Sequence, residues 1–177
     1  MSADDGNGWV SCRCGEQHWG RHGAVGLVLL RPAGSEPAGV VPAAARTPRL
    51  LLQLRAEWTH LGGTWGVPGG ARDSHEDAET AALREAAEEV GLKPGQVRLR
   101  GRCTGTDHGD WSYVYVLAEV IGGPEPSITS AETQRLAWTE LGRVAELSLH
   151  PGLAADWPGL RSVLTRLLAP VPPAVGT

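Results

Sequence analysis

The strongest pattern in the chain is an uninterrupted apolar run, Ala24-Val-Gly-Leu-Val-Leu-Leu30, which predicts a strand buried on both faces. Residues 1–22 before it are polar and Gly-containing, and residues 32–48 after it, rich in Pro, Ala and Gly, predict a loop. A second strand is expected over Leu50–Arg55. It is followed by Gly62-Gly-Thr-Trp-Gly-Val-Pro-Gly-Gly70, whose glycines and single proline exclude a helix. The clearest helix then begins at Ser74, read as its cap, with Asp77 three residues on as an approximate capping box. Gly91 ends it, with Pro94 just beyond. Further strands are predicted over Val97–Cys103, Trp111–Val120 and Gln134–Trp138. The spacing of Leu160, Val163, Leu164, Leu167 and Leu168 predicts a C-terminal amphipathic helix, followed by a frayed tail from Pro170. Strands interleaved with helices give one mixed α/β domain over 23–169, with 1–22 as a lead segment packed on it and 170–177 as a disordered tail.

At about 100° per residue, Glu85, Glu88 and Glu89 share one arc of the helix, while Leu83, Ala86 and Val90 form the opposing apolar face. Like charges one turn apart destabilise a helix. Two readings are open: a solvated acidic face, or an oxygen-only site for a hard cation such as Mg²⁺ or Mn²⁺ that also bridges to phosphate.

Composition narrows the partner. Sixteen Lys and Arg against twenty Asp and Glu give a net charge of −4, which argues against holding nucleic acid by bulk charge. No apolar stretch approaches the roughly 20 residues of a membrane helix. Met1–Trp9 is polar and acidic, unlike a secretory signal, so a cytoplasmic location is expected. Three cysteines, Cys12, Cys14 and Cys103, imply no disulfide framework. Lys93 is the single lysine beside many arginines, and Phe is absent, a bias that reads as GC-rich coding and makes any one Arg less informative.

From Gly70 to Leu92 the sequence runs Gly-Ala-Arg-Asp-Ser-His-Glu-Asp-Ala-Glu-Thr-Ala-Ala-Leu-Arg-Glu-Ala-Ala-Glu-Glu-Val-Gly-Leu. This resembles the signature of the Nudix hydrolases, G-x5-E-x7-R-E-U-x-E-E-x-G-U with U apolar. Gly70, Glu76, Arg84, Glu85, Glu88, Glu89 and Gly91 match its fixed positions, and Ala86 is smaller than the usual aliphatic residue. The resemblance implies an α/β/α sandwich with a mixed central sheet. It also implies hydrolysis of a nucleoside diphosphate linked to a group X, with water attacking phosphorus and Mg²⁺ or Mn²⁺ as cofactor. Glu85, Glu88 and Glu89 would then be metal ligands, with the Gly70 carbonyl a further one. Arg84 would pair with a box carboxylate such as Glu76 and hold Glu85. The general base is open among Glu88, Glu89 and Glu132. Subgroup signatures downstream of the box, including the Ser-Gln-Pro-Trp-Pro of NADH pyrophosphatases, are missing, which leaves nucleoside triphosphates, oxidised ones included, or an unassigned group. Within the same fold, an isopentenyl diphosphate isomerase, whose catalytic cysteine lies upstream of the box whereas Cys103 lies downstream, and a ligand sensor fit the chain less well.

Trp111, Tyr113 and Tyr115 alternate along one predicted strand and are expected on one face, either stacking a flat group or filling the core. Arg55, His108, Asp110, Glu57 and His60 lie in or beside loops within reach of a ligand; Arg55, His108, Trp111 and Tyr113 are the candidate substrate contacts. Cys12, Cys14, His18 and His22 spell C-x-C-x3-H-x3-H, four ligands tetrahedral zinc accepts. The alternative is a segment folded onto the sheet edge by Trp9 and Trp19. The expected partner is a small nucleotide, with a homodimer possible in assembly.

Overall fold

The apolar run becomes strand β3 (Ala24–Arg31), buried along its whole length. Successive residues of a strand face opposite ways, so it feeds two cores. Val25, Leu27 and Leu29 enter one, Val28 and Leu30 the other. The computed structural model describes residues 4–33, 47–122 and 125–169. Most of the loop expected at 32–48, and all of the tail expected at 170–177, fall outside the described residues.

Ahead of β3 the chain forms a hairpin, β1 (Trp9–Ser11) and β2 (Gln17–Trp19). After it come β4 (Arg49–Arg55), β5 (Trp65–Gly66), β6 (Gly69–Ala71), helix α1 (Ala78–Val90), β7 (Val97–Asp107), β8 (Ser112–Val120), β9 (Thr133–Glu140) and helix α2 (Pro151–Leu167). Seven strands form one mixed sheet in the order β5-β4-β3-β8-β7, with β6 added to β3 and β9 to β4. Strand β3 runs parallel to β8 and antiparallel to β4 and β6.

Each helix closes one face, giving the α/β/α sandwich. Ala81, Ala82, Ala86 and Val90 of α1 pack with Val25, Leu27 and Val116. On the other face Leu153, Trp157, Leu160 and Leu164 of α2 pack with Val28, Leu30, Leu50 and Leu52. A leucine as fully buried as Leu164 contributes about 1.5–3 kcal/mol by leaving water. Ala86, smaller than the aliphatic residue usual at its position in the signature, is buried in this cluster all the same. No helix among the described residues is long and apolar enough to cross a membrane.

The sheet is split on one side of β3. Its start pairs with β6 at Ala24–Gly26, whereas its end pairs with β4 at Leu30 and Arg31. Strands β5 and β6, joined through Val67 and Pro68, fill the fork, and the Leu27 N–H donates to the Pro68 carbonyl at 2.8 Å. Gly69 is required there, because a Cβ would run into the Val25 carbonyl and the Gly26 Cα. The glycine-rich stretch thus carries two short strands that no periodicity announced.

Among the boundaries that differ from the sequence expectation, three change what a residue does. Helix α1 begins at Ala78 with Asp77 as its N-cap, accepting from the Thr80 N–H at 2.7 Å. Ser74 instead bonds Asp5 through both its N–H and its hydroxyl, at 2.8 and 2.6 Å. We expect Asp77→Ala to cost about 1 kcal/mol in urea denaturation and Ser74→Ala clearly less; equal losses would restore the cap to Ser74. Helix α2 starts at Pro151, well before Leu160, because His150 caps it and Pro151 fits its first turn. Pro158 inside it removes one backbone donor but leaves the buried stripe of Trp157, Leu160 and Leu164 in place. Finally, β8 begins at Ser112, so Trp111 stands outside the strand that carries Tyr113 and Tyr115.

Candidate active site

Helix α1 lies across the fork and delivers its carboxylates there. Glu89 is buried, contrary to its place on the polar arc of the helical wheel, because the split sheet offers it donors. Its Oε2 accepts from the Gly69 N–H at 2.8 Å and from the Gln53 amide at 3.1 Å. Gln53 in turn accepts the Thr133 hydroxyl at 3.0 Å, so β4, β6 and β9 together hold one carboxylate. Burial, with the neighbouring Glu85 charge adding to it and the Gly69 hydrogen bond opposing it, pushes the Glu89 carboxyl up to about 7.

Arg84 organises the rest. It grips buried Glu76 with Nε and Nη2, both at 2.9 Å, and donates to the Ala71 carbonyl at 3.0 Å. Its Nη1 donates to Glu85 at 2.8 Å and lies 3.7 Å from Glu88. The pairing of Arg84 with Glu76 and Glu85 therefore has the geometry that its position in the box implies. Arg84 holds the Glu76 carboxyl below its ordinary value, whereas burial raises that of Glu85 despite Arg84. Glu85 also lies over Gly70, where a Cβ would come within 2.7 Å of the carboxylate. Glu88 is the exposed member of the set.

These donors fit a divalent metal. Glu85, Glu88, Glu89 and the Gly70 carbonyl are all oxygen ligands, the kind Mg²⁺ and Mn²⁺ prefer. Two carboxyls here are pushed up by burial, and among the described residues Arg84 is the one guanidinium bonded to the set. A hard cation would supply the missing positive charge.

The other candidates separate into two groups. Arg55, at the end of β4, donates from Nε to the His60 carbonyl at 3.2 Å, and its charge bears on both Glu89 and Tyr113. His60 meets the Trp9 ring edge-on at 4.9 Å between centroids. His150 lies by the same pair: burial first, then the charges of Arg55 and His60, push it down to about 4. Tyr113 and Tyr115 pack 4.8 Å apart in the core beneath α2, where the Tyr115 hydroxyl donates to Asp156 at 3.0 Å. The Glu132 carbonyl accepts from the Ala56 N–H at 2.8 Å, which sets this residue beside Arg55 with its side chain exposed.

Trp111 and His108 are taken up by the β1–β2 hairpin. Trp111 stacks on His18 at 4.3 Å and donates from Nε1 to the Trp19 carbonyl, so the expected row of three aromatics does not form. Sequence reasoning missed Gln53, Thr133, Trp9 and His150. Gln53 had a signal, a polar residue inside an apolar strand; His150 had a weaker one, a His-Pro pair opening a helix.

The profile of the NUDIX domain matches residues 21–162. A Mycobacterium tuberculosis protein named "Putative 8-oxo-dGTP diphosphatase 3" is 44% identical over 163 residues, covering 89% of this chain and 70% of its own. The crystal structure of the Nudix hydrolase RenU from M. smegmatis superposes with a TM-score of 0.80 at 38% identity, covering 94% of this chain and 98% of that one. A C. elegans Ap4A hydrolase complex shares the fold, with a TM-score of 0.61 at 23% identity over 81% of this chain and 98% of its own. With Glu76, Arg84, Glu85 and Glu89 of the box gathered at the fork, and relatives matched over most of its length, the chain belongs to the NUDIX domain family and is a Nudix pyrophosphohydrolase.

Proposed function

We propose that this enzyme hydrolyses a nucleoside triphosphate, in the first instance an oxidised or ordinary deoxynucleotide, releasing the nucleotide and pyrophosphate with Mg²⁺ or Mn²⁺ bound. The observation that carries the reading is the set of box carboxylates held at the fork by Arg84, Gln53 and Gly69. The M. tuberculosis relative, by its name, supports the nucleotide class.

Glu85, Glu88, Glu89 and the Gly70 carbonyl would hold the metal. When bound it neutralises phosphate oxygens and lowers the pKa of water. Arg84 orients Glu85 and cannot lose its own charge. Gln53 and Gly69 fix the Glu89 carboxylate from two strands, so its position is set before substrate arrives. Arg55 is the cation placed at the mouth to meet an anionic substrate, and Trp9 with His60 gives it an aromatic wall. The proton of the attacking water goes to Glu88, Glu89 or Glu132. Glu132→Gln decides about the last: unchanged kcat removes it, and a loss of kcat with Mn²⁺ affinity and melting temperature unchanged supports it.

The test is product release from a panel of nucleotides in Mg²⁺, Mn²⁺ or EDTA: (d)NTPs, 8-oxo-dGTP, ADP-ribose, NADH, nucleotide sugars and diadenosine polyphosphates. We expect triphosphates to turn over fastest and EDTA to abolish turnover. A diphosphate ester turned over well above every triphosphate would overturn the substrate class while leaving the reaction intact. Turnover undiminished in EDTA would overturn the metal assignment.

A further inference from the structure

The tip of the β1–β2 hairpin brings together four side chains that hydrolysis at the fork does not use. Cys12 and Cys14 flank the turn, His18 follows in β2, and His108 arrives from the turn between β7 and β8. One ligand atom from each lies within 4.8 Å of every other. Both thiols are free. Three of the four residues precede position 21, where the match to the NUDIX domain begins, so the shared catalytic fold does not account for them.

We propose that Cys12, Cys14, His18 and His108 form a structural Zn²⁺ site that pins the hairpin to the catalytic domain. The sequence spacing pointed to His22 as the fourth ligand, and the fold corrects this. His22 turns the other way, with its carbonyl accepting from Arg72 at 2.7 Å and its ring 4.0 Å from Asp5. His108 takes its place because the β7–β8 turn folds back over the hairpin, a contact nearly a hundred residues distant in sequence.

The chemistry suits zinc. Tetrahedral bonds of about 2.3 Å to sulfur and 2.0–2.1 Å to nitrogen put ligand atoms about 3.3–3.8 Å apart, so a cluster already this tight closes with small side-chain rotations. Cys14 Sγ and His18 Nε2 stand 3.1 Å apart. The Cys14 N–H points at Cys12 Sγ at 3.5 Å, a donor that favours a thiolate, and the chain turns tightly at Gly15, whose φ of 93° suits glycine. The Cys12 thiol donates to Asp110 at 3.2 Å, which places a base where its proton departs as the metal binds. Two S–H protons leave to solvent, two S–Zn and two N–Zn bonds form, and the two thiolates cancel the charge of Zn²⁺. Asp110 keeps its balance through the Arg13 N–H at 3.1 Å and its guanidinium at 3.7 Å. The His18 ring stacks on Trp111 at 4.3 Å and lies 4.9 Å from the His108 ring, and the Trp111 contact holds the imidazole from outside the ligand set.

The site has a reach beyond the hairpin. Trp9 pairs with Trp19 across it and carries its ring to His60 at the mouth of the active site. Loss of zinc is therefore expected to raise KM more than it lowers kcat.

The experiment is a Co²⁺ titration of the reduced, chelator-stripped full-length chain, followed by optical absorption, with metal analysis of protein purified without chelator. We expect about one zinc per chain and, with cobalt, a thiolate charge-transfer band together with tetrahedral d–d bands, signals that oxygen ligands at the box cannot produce. Cys12→Ser and His108→Ala should remove or distort these bands, while His22→Ala and Glu85→Gln leave them intact. Absence of the thiolate band in the wild-type chain with native circular dichroism would overturn the site, as would its persistence in the Cys12→Ser/Cys14→Ser double variant. Bands lost in His22→Ala and kept in His108→Ala would overturn the choice of fourth ligand. None of these readouts depends on nucleotide turnover, so the site and the proposed activity fail separately.

Discussion

Glu85→Gln and Glu89→Gln are each expected to lower kcat by at least ~10²-fold at saturating substrate, since each would remove a charged oxygen from the proposed metal site. The two variants should differ in stability. Glu85 bonds Arg84, and its Gln variant loses a charge-assisted hydrogen bond at a half-buried position. Glu89 is buried and pushed up towards neutrality, so a neutral amide of the same shape fits its cavity, and its oxygen still accepts from the Gly69 N–H. Its melting temperature should be unchanged or higher, measured without metal. In isothermal titration, both variants should bind Mn²⁺ more weakly than the wild type. A variant that hydrolyses at the wild-type rate would remove that residue from the metal site, whatever its stability.

Arg84→Ala should be the most damaging change to the site as a structure. This guanidinium donates four hydrogen bonds, two of them to buried Glu76. Removing it leaves a buried carboxylate with one strong partner, the Asp73 N–H at 3.1 Å. Breaking a buried pair costs about 3–5 kcal/mol, and the partial exposure of Arg84 places this case near about 3 kcal/mol. Activity should fall with it, because Glu85 loses the group that orients it. The double variant Arg84→Ala/Glu76→Ala separates the two effects. It should recover part of the stability, measured by urea denaturation, and little of the activity. Stability of the double variant below that of Arg84→Ala would show that Glu76 contributes through its Asp73 contact and not through Arg84.

The chemistry was legible in the chain because it sits on one regular helix. Arg84, Glu85, Glu88 and Glu89 are local neighbours, and helical geometry fixes their relation without further information. The apolar run of β3 was legible for a similar reason, since a strand buried on both faces has no polar alternation to confuse it. Failures began where local signals compete. Ser74 and Asp77 are both good caps, and the choice fell to Asp77 because the N-terminal segment captured Ser74 through Asp5. The wheel placed Glu89 with the exposed carboxylates, but a wheel shows only the helix, not the gap in the sheet that receives it.

What the sequence determined by itself is thus the buried strand β3, the catalytic helix and its carboxylates, features set by periodicities of a few residues. What the tertiary structure decided is where those carboxylates point and which distant residues meet them. Gln53, braced by Thr133, reaches Glu89 only because β5 and β6 lie between β4 and the start of β3. His108 displaces His22 beside Cys12 and Cys14 only because the β7–β8 turn folds over the hairpin. Such meetings depend on strand register and on the path of turns, which are fixed by the packing of the whole core, so no local pattern in the sequence encodes them.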